Sequence, residues 1–238
     1  MVVVGVDGCP AGWFVTVIED GTVSTDTFEQ FERVHETYSA AIRILVDIPI
    51  GLPTEHRRRC DEAASDLLGC RGNSVFYPPS NSAIDHDTYE KASEAHRTNI
   101  GRGLSQQAFH IRGKIREVRE IVGDEYEGLV RESHPELCFA ALNGQPIAYT
   151  KSSEEGRGLR LKLLDEALED ADAEVVYRRV RQEYLRREVR RDDILNVMVL
   201  AVAARMENLT ELPKEPTDDQ PRMYYPPFEL ASLRVPRV

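Results

Sequence analysis

Hydrophobic residues near the N-terminus fall in runs too short for helices. Val2 to Val6 is followed by Gly8, Pro10 and Gly12, and a second run covers Trp13 to Ile18. Short apolar runs bounded by turn residues predict buried strands. The pattern gives strands over 2–7, 13–19 and 22–28, with Asp20-Gly21 as a hairpin turn. Phe31, Val34 and Tyr38 share one face of a helix over 31–40. A strand follows over 42–48, and Pro49 and Pro53 forbid its continuation.

From there the period changes to that of helices. The segment of about 54–125 is mostly polar and helical, with helices over 60–68, 88–99 and 105–122 and a loop over 73–82. The third of these helices takes its apolar positions from Phe109, Ile111, Ile115, Val118, Ile121 and Val122. A short strand over 129–132 and a helix over 137–142 come next. Amphipathic helices are predicted over 156–168 and 174–187, and the most apolar helix over 191–206. The proline-rich tail, about 212–238, offers one edge strand at 223–225. No internal repeat interrupts the pattern. The expected organisation is a single domain over 1–238, carrying a helical insertion at about 54–125.

Charge and cysteines narrow the class only a little. Arg, Lys, Asp and Glu give a net charge of −11, and lysine is confined to Lys91, Lys114, Lys151, Lys162 and Lys214. An acidic, arginine-rich and lysine-poor chain resembles salt-adapted, halophile-like cytoplasmic proteins. Such a field repels nucleic acid at low salt and is screened at high salt, so net charge decides nothing about that partner. No basic leader opens the sequence, and its longest later apolar run, Val197 to Ala204, is far short of a membrane span. The expected location is the cytoplasm. His56, Cys60 and Cys70 match no common zinc spacing, so reduced thiols are the reading for Cys9, Cys60, Cys70 and Cys138.

The chemistry lies at the strand ends. Asp7 closes the first strand, and Asp47 stands between Val46 and Ile48 in the fourth. A carboxylate at such a position is costly to bury. In a β-β-β-α-β unit the first and fourth strands are parallel neighbours, about 4.8 Å apart. Their carboxyl ends form an edge where ligands bind. Glu132 ends the fifth strand, and Asp193 opens the apolar helix. With Asp7 and Asp47 they make a candidate metal set for Mg2+ or Mn2+, which take few carboxylates plus water and phosphate. Glu136 and Asp192 are further candidates. Each acid has an ordinary alternative: Asp192 and Asp193 as helix caps, Glu132 and Glu136 as solvated groups, Asp7 as a turn former.

Several segments carry a family resemblance. They are Gly5 to Trp13, Asp47 to Pro53, Arg59-Cys60-Asp61, Gly69-Cys70-Arg71 with Ser74-Val75-Phe76, Lys114 to Val118, and Glu132-Ser133-His134-Pro135-Glu136. Together they resemble the signatures of domain of unknown function 429, a family regarded as ribonuclease H-like and related in fold to the Holliday-junction resolvases. The resemblance runs from residue 2 to about 226. It implies an α/β fold with a mixed five-stranded sheet, β-β-β-α-β-α-β-α with a helical insertion after strand four. It also implies a metal-dependent nuclease that hydrolyses a phosphodiester. Asn196 stands where family members often carry a further acid, and a neutral oxygen binds magnesium less strongly.

Other residues join the expected site. Arg59 and Arg71 fall in the family-like segments and suit phosphate oxygens, whereas Arg57 and Arg58 read as a solvated face pairing with Glu62 and Asp66. Gln107 and Lys114, seven apart, share a helix face that could line a groove. His134 reads either as a general acid or as a structural histidine. Trp13 and Phe76 read as packing rather than base-stacking residues. Two rival functions stay open. One is an ATP-dependent phosphotransferase of the actin and sugar-kinase superfamily, which needs a second copy of the strand unit. The other is a non-catalytic nucleic-acid or protein-binding module on the same fold. The substrate and the oligomeric state, a homodimer included, are not fixed by the sequence.

Overall fold

The alternation near the N-terminus builds a five-stranded sheet. In the computed structural model, which describes residues 1–168 and 171–228, the strands are β1 (Val2–Cys9), β2 (Gly12–Glu19), β3 (Thr22–Phe28), β4 (Arg43–Val46) and β5 (Val130–Glu132). Their order is β3-β2-β1-β4-β5. β1 and β2 pair antiparallel, as do β2 and β3, whereas β4 runs parallel to both β1 and β5. The hairpin turn lies where Asp20-Gly21 requires it: both residues have positive φ, 46° and 83°. This is a mixed α/β sheet with the connectivity of a ribonuclease H-like fold.

Pleat parity sorts the side chains onto two faces. Val4, Val6, Val15, Val17, Ile44, Val46 and Val130 point one way, toward α1 (Phe31–Thr37) and the residues Ile115 and Val118 of α4 (Gln106–Val122). The predicted helical insertion therefore contributes a helix that covers the sheet. Between α1 and α4 in the chain lie α2 (Arg59–Leu68), a 3-10 helix at Gly69–Ser74, and α3 (Tyr89–Ile100). Val3, Phe14, Ile18 and Leu45 point the other way, against α5 (Pro135–Asn143) and its successors. These are α6 (Glu154–Ala167), α7 (Ala173–Glu183) and α8 (Arg191–Arg205).

α8 lies directly on β1. A Cβ at Gly5 would come within 2.2 Å of the Val197 carbonyl oxygen and 2.4 Å of the Ala201 nitrogen. Only glycine admits that approach. α8 is buried nearly all round, from Asp193 to Ala204, which explains its unbroken apolar sequence.

Several elements depart from the pattern: the helix expected over 174–187 ends at Glu183, and the strand expected over 42–48 ends at Val46. The first helix stops at Thr37 rather than reaching residue 40. A strand over Thr210–Leu212 (β6), not evident in the sequence, pairs with β7 (Met223–Tyr225). β7 is thus no free edge, and its Tyr224 also bridges Ser133 at the end of β5. No helix among the described residues is long and apolar enough to cross a membrane.

Candidate active site

The site begins with the register of β1 and β4. Val6 pairs with Val46, and the Asp47 N–H donates to the Val6 carbonyl at 3.0 Å. Asp7 and Asp47 are therefore side by side, one step further along. By parity they share the face of Val3 and Leu45, where α8 packs. The N-terminal turn of α8 brings Asp193 and Asn196 to the same point. Asn196 Nδ2 donates to Asp7 Oδ2 at 2.7 Å. The carboxylate of Asp47 accepts no hydrogen bond from the described residues and faces open cleft on both sides.

These acids are not compensated. Burial, then the charges of Asp47 and Asp193, push the Asp7 carboxyl well above the usual carboxylate range, against the Asn196 hydrogen bond. Burial also raises Asp47, opposed by His134 and Lys151. Asp193 is pushed up to about 6, chiefly by burial. Its Oδ2 accepts the Arg190 backbone N–H at 2.9 Å, so the helix-cap reading accounts for one of its oxygens.

The cleft has two lobes that meet at Asp47 and Asn196. One, of about 350 Å³, is lined by Asp7, Gly8, Cys9, Lys114 and Arg190. The other, of about 150 Å³, is lined by Arg71, Ser74, His134, Glu136 and Lys151. Phe76 and Gln107 wall both lobes. The Lys114 side chain crosses Gly8: a Cβ there would lie 2.6 Å from Lys114 Cδ. Lys114 Nζ sits 4.6 Å from the centre of the Trp13 ring and donates to the Gly12 carbonyl. Arg71, Gln107 and Lys114 thus line the cleft. Arg59 does not: it is exposed in a separate cavity and donates to Gln220 Oε1 at 3.2 Å.

Glu132 is the main correction. Its partner across β4 is Val46, so its side chain leaves the sheet on the face opposite Asp7 and Asp47. There its carboxylate accepts the Ile50 N–H at 2.7 Å and two Arg58 N–H bonds at 2.7 and 2.8 Å. Arg58 also holds Asp61, at 2.5 and 2.9 Å. Arg58 is therefore not part of a solvated face; it is 4% exposed and joins two buried acids. Cys60, Asp61 and Glu132 form the one group of three potential ligands within 4.8 Å among the described residues. The guanidinium already occupies it. Burial still pushes Glu132 up to about 7, because one cation serves two carboxylates.

Glu136 and His134 are also committed. Arg160 grips both Glu136 oxygens at 2.7 and 3.0 Å. His134 accepts the Glu136 N–H at Nδ1 and bonds the Ser74 carbonyl through Nε2, both at 3.2 Å. Both ring nitrogens have partners, which is the arrangement of a structural histidine. Asp192 is half-buried, 3.8 Å from Lys151. Trp13 is fully buried and donates to Glu117 at 2.8 Å, a packing role. Sequence reasoning missed Lys151 and Arg190. Only Arg190 carried a signal, its place just before the apolar helix.

Fold and site together define an α/β protein with a strand-end aspartate pair in a cleft ringed by cations. A family model described as Protein of unknown function (DUF429) matches residues 5–218, and the chain belongs to that family. No curated protein and no solved structure matches it.

Proposed function

We propose that this protein is a metal-dependent phosphodiester hydrolase acting on nucleic acid, with Asp7 and Asp47 as the residues that hold the ion. The observation that carries this reading is the pair itself. Two carboxylates, Asp7 buried and Asp47 half-buried, lie side by side at parallel strand ends, and the charge of Asp47 is among the causes that raise Asp7. A donor set of that kind, with open cleft beside it, fits a hard divalent cation such as Mg2+ or Mn2+ that keeps water and phosphate in its other positions. When bound, such an ion supplies an acidified water and neutralises charge on the leaving oxygen.

The protein's own groups do the rest. Asn196 orients Asp7 through its amide hydrogen bond, in the place where an acid would have added a third repelling charge. Asp193 stands behind the pair and adds negative charge to the ion's surroundings. Lys114 and Arg190 on one side, and Arg71 and Lys151 on the other, suit the phosphates flanking a scissile bond.

The test is cleavage of labelled single-stranded, duplex and branched DNA and RNA with Mg2+ or Mn2+. Wild type should cleave at least one substrate, and Asp47→Asn should not. Equal activity in both proteins on every substrate rejects the reading.

A further inference from the structure

A second cavity adjoins the cleft and is not explained by phosphate chemistry. It holds about 240 Å³ and is lined by Pro53, Arg57, Phe76, Tyr77, Pro78, His96, Arg102 and Gln107, among others. Phe76 and Gln107 are shared with both lobes of the cleft, so the three spaces meet at these two side chains.

Its walls combine flat surfaces with directed donors. The Arg57 guanidinium lies over the Tyr77 ring, 3.7 Å from its centre. Phe76 is half-buried, with the cavity and the cleft on either side. His96 is only 5% exposed. Its Nδ1 accepts the Ser80 N–H at 2.9 Å, which leaves the proton on Nε2. That nitrogen has no partner among the described residues, and His96 lines the cavity. Burial, then the Arg57 charge, hold His96 below its ordinary pKa, so the ring stays neutral with one fixed donor. Arg57 and Arg102 are in no ion pair among the described residues. At its other end the cavity reaches the buried Arg58–Asp61 pair.

We propose that this cavity is a nucleobase subsite, receiving the unstacked base of a nucleotide whose phosphate lies in the adjoining cleft. Bases taken out of a stack are held between aromatic rings or guanidinium planes and read by hydrogen bonds to their edges. Phe76 and the Tyr77-supported Arg57 supply the planes. His96 Nε2–H and the Gln107 amide supply edge contacts. The volume lies just below the range of about 300–1,000 Å³ usual for ligand pockets, which suits one base with part of its sugar. The inference deepens the hydrolase reading by naming its substrate as single-stranded or base-flipped nucleic acid.

The experiment is titration calorimetry on the full chain in EDTA, so that nothing is hydrolysed. The probes are 5′-AMP, CMP, GMP and UMP, with ribose 5-phosphate as the probe that lacks a base. At least one nucleotide should bind ten-fold or more tighter than ribose 5-phosphate, about the advantage a single stacked base confers. Phe76→Ala should abolish that advantage, Phe76→Trp should keep it, and His96→Gln should reduce it. No binding, an equal affinity for ribose 5-phosphate, or an advantage that survives Phe76→Ala overturns the proposal. If Phe76→Ala does not fold, an advantage unchanged in His96→Gln overturns it instead. Equal cleavage by wild type and Asp47→Asn removes the hydrolase reading alone, because base binding is measured without metal or turnover.

Discussion

Two acidic clusters lie at the same sheet edge, on opposite sides of the pleat yet both bordering one small space lined by Asp47, Arg58, Asp61 and Glu132, and they are built to different rules. On one face Arg58 fills the space between Asp61 and Glu132 with hydrogen-bonded cation contacts. On the other, Asp7 has one amide donor and Asp47 has no hydrogen bond from the described residues. A buried charge is tolerated when it is paired and costly when it is not. The paired cluster anchors the loop after β4 through the Ile50 N–H. The unpaired one opens on a cleft, as expected where an ion or substrate supplies the missing positive charge.

The comparison breaks most sharply if the cation of the paired cluster is removed. Arg58→Met should leave Asp61 and Glu132 as uncompensated buried acids and cost about 3–5 kcal/mol. Urea denaturation measures this, and a midpoint within error of wild type would show that Arg58 holds nothing together. Next in size is Asp47→Asn. Cleavage should fall by more than the roughly 10–100-fold typical of losing a group that merely supports a metal ligand. Stability of the same variant should hold or rise, because a destabilising charge is gone.

Metal should then act on one cluster only. Mn2+ at 100 times its Kd should stabilise wild type by about 2.7 kcal/mol and leave Asp47→Asn unmoved. Thermal shift with and without EDTA reads both. Equal shifts in the two proteins would place the ion elsewhere.

The smallest effect is a slope with pH. Glu132 is raised from its ordinary 4.5 to about 7 in the fold. A carboxyl raised on folding favours the native state below its unfolded pKa and loses that contribution as pH rises through its folded value. Between about pH 4.5 and 7, wild type should therefore lose stability relative to Glu132→Gln. Urea midpoints across that window test the sign, and parallel curves would mean that Arg58 keeps Glu132 ionised throughout.

Much of this was legible in the chain because it rests on local rules. Strand alternation, the Asp20-Gly21 turn and the apolar helix at 191–205 appear where the pattern puts them. Asp7 and Asp47 were legible as strand-end acids, and the strand-one to strand-four adjacency brought them together. Glu132 was not. β5 is three residues long and has too little alternation to reveal its face, and a shift of one residue reverses every side chain. Only the register against β4 assigned Glu132 to the far side.

Pairing was equally invisible. Arg58 and Glu132 are 74 residues apart, and Glu136 meets Arg160 across 24. Nothing local distinguishes those acids from Asp47. The sequence by itself determined the strands of the five-stranded sheet, their turns and the two aspartates at their ends, because period and turn chemistry act over a few residues. The tertiary structure alone decided which acids are neutralised and which face a cleft, because charge compensation is settled by what long-range packing brings within about 3 Å.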